Sequence, residues 1–169
     1  MTATPWKIER WDASHPCWAD LLALIEEYGQ TDWFNFHADW HLGEHVLAAS
    51  IDGQPVGFLR FVVQRIGDED DHEPVTFKGV ELVEAKVIAF AVHEDFRRKG
   101  IGQALQEETI RFARELGCYQ LRSFSGGDHP ENHALKLAMG FAVQPVLRHD
   151  DTRCVYFILP LQTPGTRHG

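Results

Sequence analysis

The chain has 169 residues, with 16 Lys and Arg against 25 Asp and Glu, and 44% of its residues are hydrophobic. That length suits a single core, and the apolar and charged fractions exclude a disordered or fibrous chain. The net charge of −9 argues against nucleic acid as a partner, which calls for a basic footprint, and favours cationic ones. No apolar run approaches the ~18 residues of a membrane span, and the first residues lack the basic-then-apolar pattern of a secretory signal. Cys17, Cys118 and Cys154 are too scattered for a disulfide framework or a cysteine zinc site. The expectation is one cytoplasmic domain over residues 1–162 with no membrane partner, followed by a flexible tail over 163–169.

Residues 6–12 alternate as an opening strand. Trp18, Leu21, Leu22 and Ile25 then recur at helical spacing, and Gly29 supplies a stop. Thr31 or Asp32 is placed to cap a second helix that runs to about Trp40. Asp52-Gly53 between two apolar runs predicts a two-residue hairpin turn. Residues 65–79 hold the acids Asp68 to Asp71 and read as a mobile loop, its charges solvated or guarding a hairpin edge. Residues 80–93 read as one long strand, in which a period of two puts Glu84, Lys86, Ile88 and Phe90 on one face. Ile101, Leu105, Phe112 and Leu116 form the stripe of the clearest helix, closed by Gly117. A strand over 118–125, a short helix over 133–139 and two strands over 140–148 and 152–161 complete the order βααβββαβαββ. The fold class is α+β, a mixed sheet with helices on its faces.

The stretch from Ala89 to Gln103 carries the chemistry. An apolar strand runs into a turn holding Arg97, Arg98 and Lys99, then Gly100 and Gly102, and directly into a helix. Two glycines let a ligand approach the backbone, and the first helical turn offers unpaired N–H groups and partial positive charge. These features together make a pyrophosphate site. The Walker pattern GxxxxGK[ST] does not occur, and a dinucleotide fingerprint from Gly100 would place its third glycine at Leu105. That fingerprint also asks for an acid about 20 residues on, where Arg122 stands, so a nicotinamide nucleotide fits poorly.

Arg97-x-x-Gly100-x-Gly102, preceded by AVHEDF and followed by an amphipathic helix, resembles the acyl-coenzyme A loop of the GNAT N-acetyltransferase superfamily. Asn132 in PENHALKLAMGF, ending at Gly140-Phe141, resembles that family's second motif, and the element order is similar over about residues 6–160. The resemblance implies a mostly antiparallel central sheet of six to seven strands flanked by about four helices, with acetyl-CoA as co-substrate. It implies that the backbone of Phe90, Ala91 and Val92 pairs with the pantetheine arm, an amide near Val92 polarising the thioester. Arg97 would open the pyrophosphate cradle, and the N–H groups of Arg98, Lys99, Gly100, Ile101, Gly102 and Gln103 would form it. Asn132 would bond the pantetheine, no metal is implied, and a homodimer through the edges of the last strands is common in the family.

Two departures from the pattern bear on mechanism. His93 and Glu94 stand where a proline is frequent, and residues 131–141 lack the tyrosine that many members use to protonate the departing thiolate. Water, His129, His133 and Lys136 remain alternatives for that proton. Glu84 and Glu81, early on the long strand, are the candidates for the base, with His93 a third titratable group nearby. A Glu84–Lys86 salt bridge is the plainer reading of that pair.

All five tryptophans lie in the first 40 residues; they suit helix packing, or the walls of an acceptor pocket for a cationic amine. His37, His41 and His45 recur every four residues, but Gly43 breaks the helix that would align them for metal. Cys118 reads as a small core residue. The leading expectation is direct acetyl transfer from acetyl-CoA to a small amine, a peptide N-terminus or a lysine. The alternative is a non-catalytic acyl-CoA-binding sensor or interaction module on the same fold.

Overall fold

The computed structural model describes residues 5–126, 129–147 and 153–162. Strand β1 (Trp6–Trp11) leads to helices α1 (Trp18–Glu27) and α2 (Thr31–Asn35), then to β2 (Gly43–Ile51) and β3 (Gln54–Arg65). A two-stranded hairpin, β4 (Thr76–Phe77) with β5 (Val80–Glu81), precedes β6 (Val83–Val92). Helix α3 (Ile101–Glu115), β7 (Gln120–Gly126), α4 (Pro130–Ala138), β8 (Ala142–Leu147) and β9 (Arg153–Pro160) follow. Seven strands form one sheet in the order β1-β2-β3-β6-β7-β9-β8, in which β6 and β7 are parallel and the other described pairs antiparallel.

The hairpin signal at Asp52-Gly53 is borne out. Both residues take positive φ, +49° and +81°, the pair a type I′ turn requires. Helix α3 lays Ile101, Leu105, Phe112 and Ala113 against Leu47, Leu59, Phe61 and Ala85 on one face of the sheet. Helix α1 lays Leu21, Leu24 and Ile25 against Ala48, Phe58 and Ala89 on the other. Cys118 is buried in the same core, as expected of a small core residue.

Four expectations are corrected. The second helix ends at Asn35, because Phe36 turns to extended backbone (φ −60°, ψ 128°), and its N-cap is Gln30, not Thr31 or Asp32. Residues 80–93 divide, Val80–Glu81 pairing within the small hairpin before β6 begins at Val83. Glu84 and Lys86 do not share a face with Phe90. Register between β3 and β6 slips at Arg60/Phe61, where Arg60 faces Ala89 and Phe61 faces Val87, so Ile88 is the extra residue of a bulge. Val83, Ala85, Val87, Phe90 and Val92 therefore pack on the α3 face, while Ala89 and Ala91 join Glu84 and Lys86 on the α1 face. Finally, the acidic run is not simply solvated. It forms a 3-10 turn from which Glu69 reaches both Lys86 and Arg122, and Asp68 pairs with Arg65 at 2.9 Å.

The expected tail over 163–169 lies outside the described residues. No helix among the described residues is long and apolar enough to cross a membrane.

Candidate active site

The parallel strands β6 and β7 pair over only four rungs, from Glu84–Gln120 to Val87–Ser123. Beyond Ser123, β7 keeps its hydrogen bonds to β9, while β6 stays with β3. The bulge at Ile88 turns β6 away at this point, and a cleft opens between Phe90–Val92 and Phe124–Gly126. The His93 N–H bonds the Val56 carbonyl on β3 at 2.8 Å. By alternation, Ala91 also turns its polar groups to β3, and those of Phe90 and Val92 face the cleft. Side chains cap these groups. The Gln30 amide accepts from the Phe90 N–H and donates to the Phe90 carbonyl, both at 2.9 Å, and Arg97 Nε donates to the Val92 carbonyl at 2.9 Å.

The basic turn stands at the head of this cleft. Arg98 and Gly100 both take left-handed backbone, φ +62° and +86°. Ala104 N–H makes the first helical bond, to the Gly100 carbonyl at 3.0 Å, and no side chain caps the helix. The N–H groups of Ile101, Gly102 and Gln103 are thus left without an intrahelical acceptor. Arg97, Arg98 and Lys99 are exposed around them. A Cβ at Gly102 would lie 3.4 Å from Phe90 and 3.7 Å from both Leu135 and Val92, so the helix start is pressed against the strand and α4. Asn132 lies in the first turn of α4, and its Oδ1 is buried without a partner among the described residues. An orphaned acceptor beside an open strand edge and a basic helix start fits a pyrophosphate carrying an amide-containing arm, as in coenzyme A.

The two faces of the sheet below the parting differ in chemistry. On the α1 side, Glu84 is 1% exposed between its cross-strand neighbours Gln64 and Gln120, with Arg122 Nε 3.0 Å from Oε2. Burial pushes its carboxyl above the usual value, opposed first by the Arg122 charge and then by the Gln120 and Gln64 hydrogen bonds. Lys86 and Arg122 face each other across the strands, a repulsive pairing that Glu69 relieves by bonding both. The expected Glu84–Lys86 bridge is therefore replaced by Glu84–Arg122 and Lys86–Glu69. Glu81 is exposed on β5 and pairs with Arg65 at 3.4 Å, away from the cleft. His93 caps the 3-10 turn after β6, its Nδ1 accepting from the Asp95 N–H at 3.1 Å.

On the α3 and α4 side, Lys136 Nζ donates to Ser123 Oγ, and the Ser125 hydroxyl lies 2.8 Å from His133 Nε2. Sequence reasoning left Lys136 among several alternatives. The signal it passed over is that a lysine and a histidine in α4 both fall on the sheet side of the helix.

A cavity of about 580 Å³ opens on the other side of β3, lined in part by Trp18, Phe34, His37, Glu44 and Arg60. The aromatics divide between the two expected roles. Trp11 and Phe34 are core, whereas Trp33, Phe36 and Trp40 are exposed. His37 and His41 meet edge to face, but His45 packs on Phe61 and Phe112, and no metal-ligating group of three occurs among the described residues.

Comparison with known proteins agrees with this fold. Arabidopsis thaliana NAA60, solved in complex with acetyl-CoA, superposes with a TM-score of 0.67 at 14% identity, covering 92% of this chain and 98% of that one. The Salmonella typhimurium acetyltransferase yncA, solved with acetyl-CoA, gives 0.63 at 19% identity over 96% and 98% of the two chains. Mycothiol acetyltransferase of Salinispora arenicola is 30% identical over 138 residues, 76% of this chain but 38% of that protein, so the chain spans well under half of this relative. The profile described as the acetyltransferase (GNAT) family matches residues 8–141, which include the parted strands and the Arg97–Gly102 turn. The chain belongs to the GNAT acetyltransferase family.

Proposed function

We propose that the chain moves an acetyl group from acetyl-CoA to an amine by direct transfer. The observation that carries this reading is the open edge of β6, headed by an uncapped basic helix start and flanked by the orphaned Asn132 Oδ1. In this reading Arg97, Arg98 and Lys99 and the N–H groups from Gly100 to Gln103 hold the pyrophosphate. Phe90 and Val92 give backbone polar groups to the arm, Ala91 leaves room beside them, and Asn132 Oδ1 accepts from an arm amide. Gln30 yields its two bonds to Phe90 when the arm enters. Glu84 acts as the base through water, since it lies three to four residues, roughly 10–13 Å, below the parting. Its raised pKa improves it for that task. Glu81, exposed and distant, is left to its ion pair with Arg65.

The acceptor comes from the α1–α2 face, where the cavity walls of Trp18 and Phe34 and the net charge of −9 suit a small cationic amine. One observation favours a second reading. The Phe90 N–H, one of the groups that face the cleft, is engaged by Gln30, as in a domain that binds acyl-CoA without turning it over. Acetyl-CoA incubated with a diamine, an aminoglycoside, a free peptide N-terminus and a lysine peptide separates the two. Acceptor-dependent thiol release supports transfer, binding without release supports the sensor, and no binding contradicts both.

A further inference from the structure

The strand register defines a point. Val87 and Ser123 are the last paired residues before β6 and β7 part. On the α4 side of that rung lies Lys136, its ammonium donating to Ser123 Oγ, with the Phe157 ring centroid 5.5 Å away. The residue is 1% exposed, and no carboxylate among the described residues lies within ion-pair distance of it. The groups that face it are hydroxyls and rings: Ser123 and Ser125 on β7, Phe157 on β9, and His133 one turn back on its own helix, held by Ser125. Burial brings its pKa down from 10.5 to about 8.

Helix α4 sorts these residues against hydrophobicity. Lys136 is inside, while its neighbour Leu137 is 53% exposed. An ammonium taken out of water without a counter-charge is costly, and a leucine would fill the same place without that cost. A second buried polar group marks the same region. Gln106 on α3 is 0% exposed, and both of its amide atoms lack a partner. It stands one turn beyond Gly102 on the same helix face, and Gly102 itself lies against Phe90 and Val92 of β6 and Leu135 of α4. Lys136 on α4 and Gln106 on α3 are thus polar side chains buried where packing alone calls for apolar ones.

We infer that Lys136 is the acid of the reaction, its ammonium meeting the coenzyme sulfur where β6 and β7 part and protonating it as it leaves. This rests on the acetyl-CoA reading of the cleft. The amine nitrogen bonds the acetyl carbon and loses a proton to water or base. The carbon–sulfur bond breaks with its electron pair on sulfur, and sulfur takes the Lys136 proton. Lysine is then reprotonated from solvent, so acetyl-CoA and amine become acetylamide and CoA thiol.

The test needs no acceptor. The Lys136 ammonium is titrated by NMR of the full chain, alone and saturated with CoA or with desulfo-CoA, which lacks the thiol. The bound thiol is titrated by its ultraviolet thiolate absorbance. The expected results are a Lys136 titration that CoA shifts and desulfo-CoA leaves in place, and a bound thiol whose ionisation at neutral pH differs at least tenfold from that of free CoA. Lys136→Met should return the thiol to its free behaviour while CoA still binds in calorimetry. Equal titration of Lys136 with either ligand, or equal thiol ionisation in wild type and Lys136→Met, would overturn the assignment and leave the coenzyme site standing. Failure of wild type to bind CoA would remove the coenzyme site itself, and the acid with it.

Discussion

The two faces of the sheet at the parting of β6 and β7 bury charge in opposite ways. On the α1 face, Glu84, Arg122, Glu69 and Lys86 form a network in which each cation has a carboxylate. On the α4 face, Lys136 has a hydroxyl and a ring. A matched network fixes geometry through its ion pairs. An unmatched cation holds its proton loosely and is suited to giving it away. Burial alone does not separate these cases, since Glu84 and Lys136 are each 1% exposed; the partners do.

The largest effect should come from breaking the matched side. Arg122→Met leaves Glu84 buried without its cation and Glu69 with Lys86 alone, and a loss of about 3–5 kcal/mol in denaturant unfolding is expected. A loss below about 1 kcal/mol would mean that the network contributes little. At the head of the cleft, Gly102→Glu places a carboxylate in the proposed pyrophosphate site, beside Phe90. Acetyl-CoA affinity should fall by more than about 100-fold, roughly 2.7 kcal/mol.

The unmatched side should respond in the opposite direction. Lysine ordinarily titrates at 10.5 and Lys136 at about 8, so the unfolded chain binds more protons between those values. Stability therefore rises as pH rises through that window, and the penalty is fully present below pH 8. Lys136→Met removes it, and a gain of up to roughly 3 kcal/mol at neutral pH, vanishing by about pH 10.5, is expected in thermal unfolding across pH. The same variant should lose acetyl transfer about 100-fold or more in kcat with little change in the KM for acetyl-CoA. A destabilised Lys136→Met at neutral pH would mean that the lysine is a structural contact. The smallest effect is at Asn132. Its Oδ1 has no partner among the described residues, so Asn132→Ala should leave stability unchanged while weakening acetyl-CoA by about 1 kcal/mol in calorimetry.

Local chemistry was legible in the sequence and partner-dependent geometry was not. Asp52-Gly53 names its own turn, and the stripe of Ile101, Leu105 and Phe112 names its own helix, because each signal lies within a few residues. The Arg97–Gly102 turn was legible for the same reason. The bulge at Ile88 was not, since it arises from the register with β3 and nothing in VEAKVIAFAV marks it. That one residue reassigns the faces of Glu84 and Lys86. Glu69 looked like one of four solvated acids until the topology brought it to Lys86 and Arg122, 17 and 53 positions away. Lys136 was hidden by the opposite effect: beside Leu135 and Leu137 it reads as an ordinary surface charge, and only α4 packing on β7 shows that it points inward.

We propose that the parted strands and the Arg97–Gln103 turn hold acetyl-CoA. Thermal unfolding with and without acetyl-CoA, on wild type and Gly102→Glu, tests it most directly. At a ligand concentration about 100-fold above Kd, wild type should gain about 2.7 kcal/mol, roughly 5–11 °C in Tm, and Gly102→Glu should gain nothing. An unmoved wild-type Tm at saturating acetyl-CoA, or an equal rise in both proteins, would contradict the account.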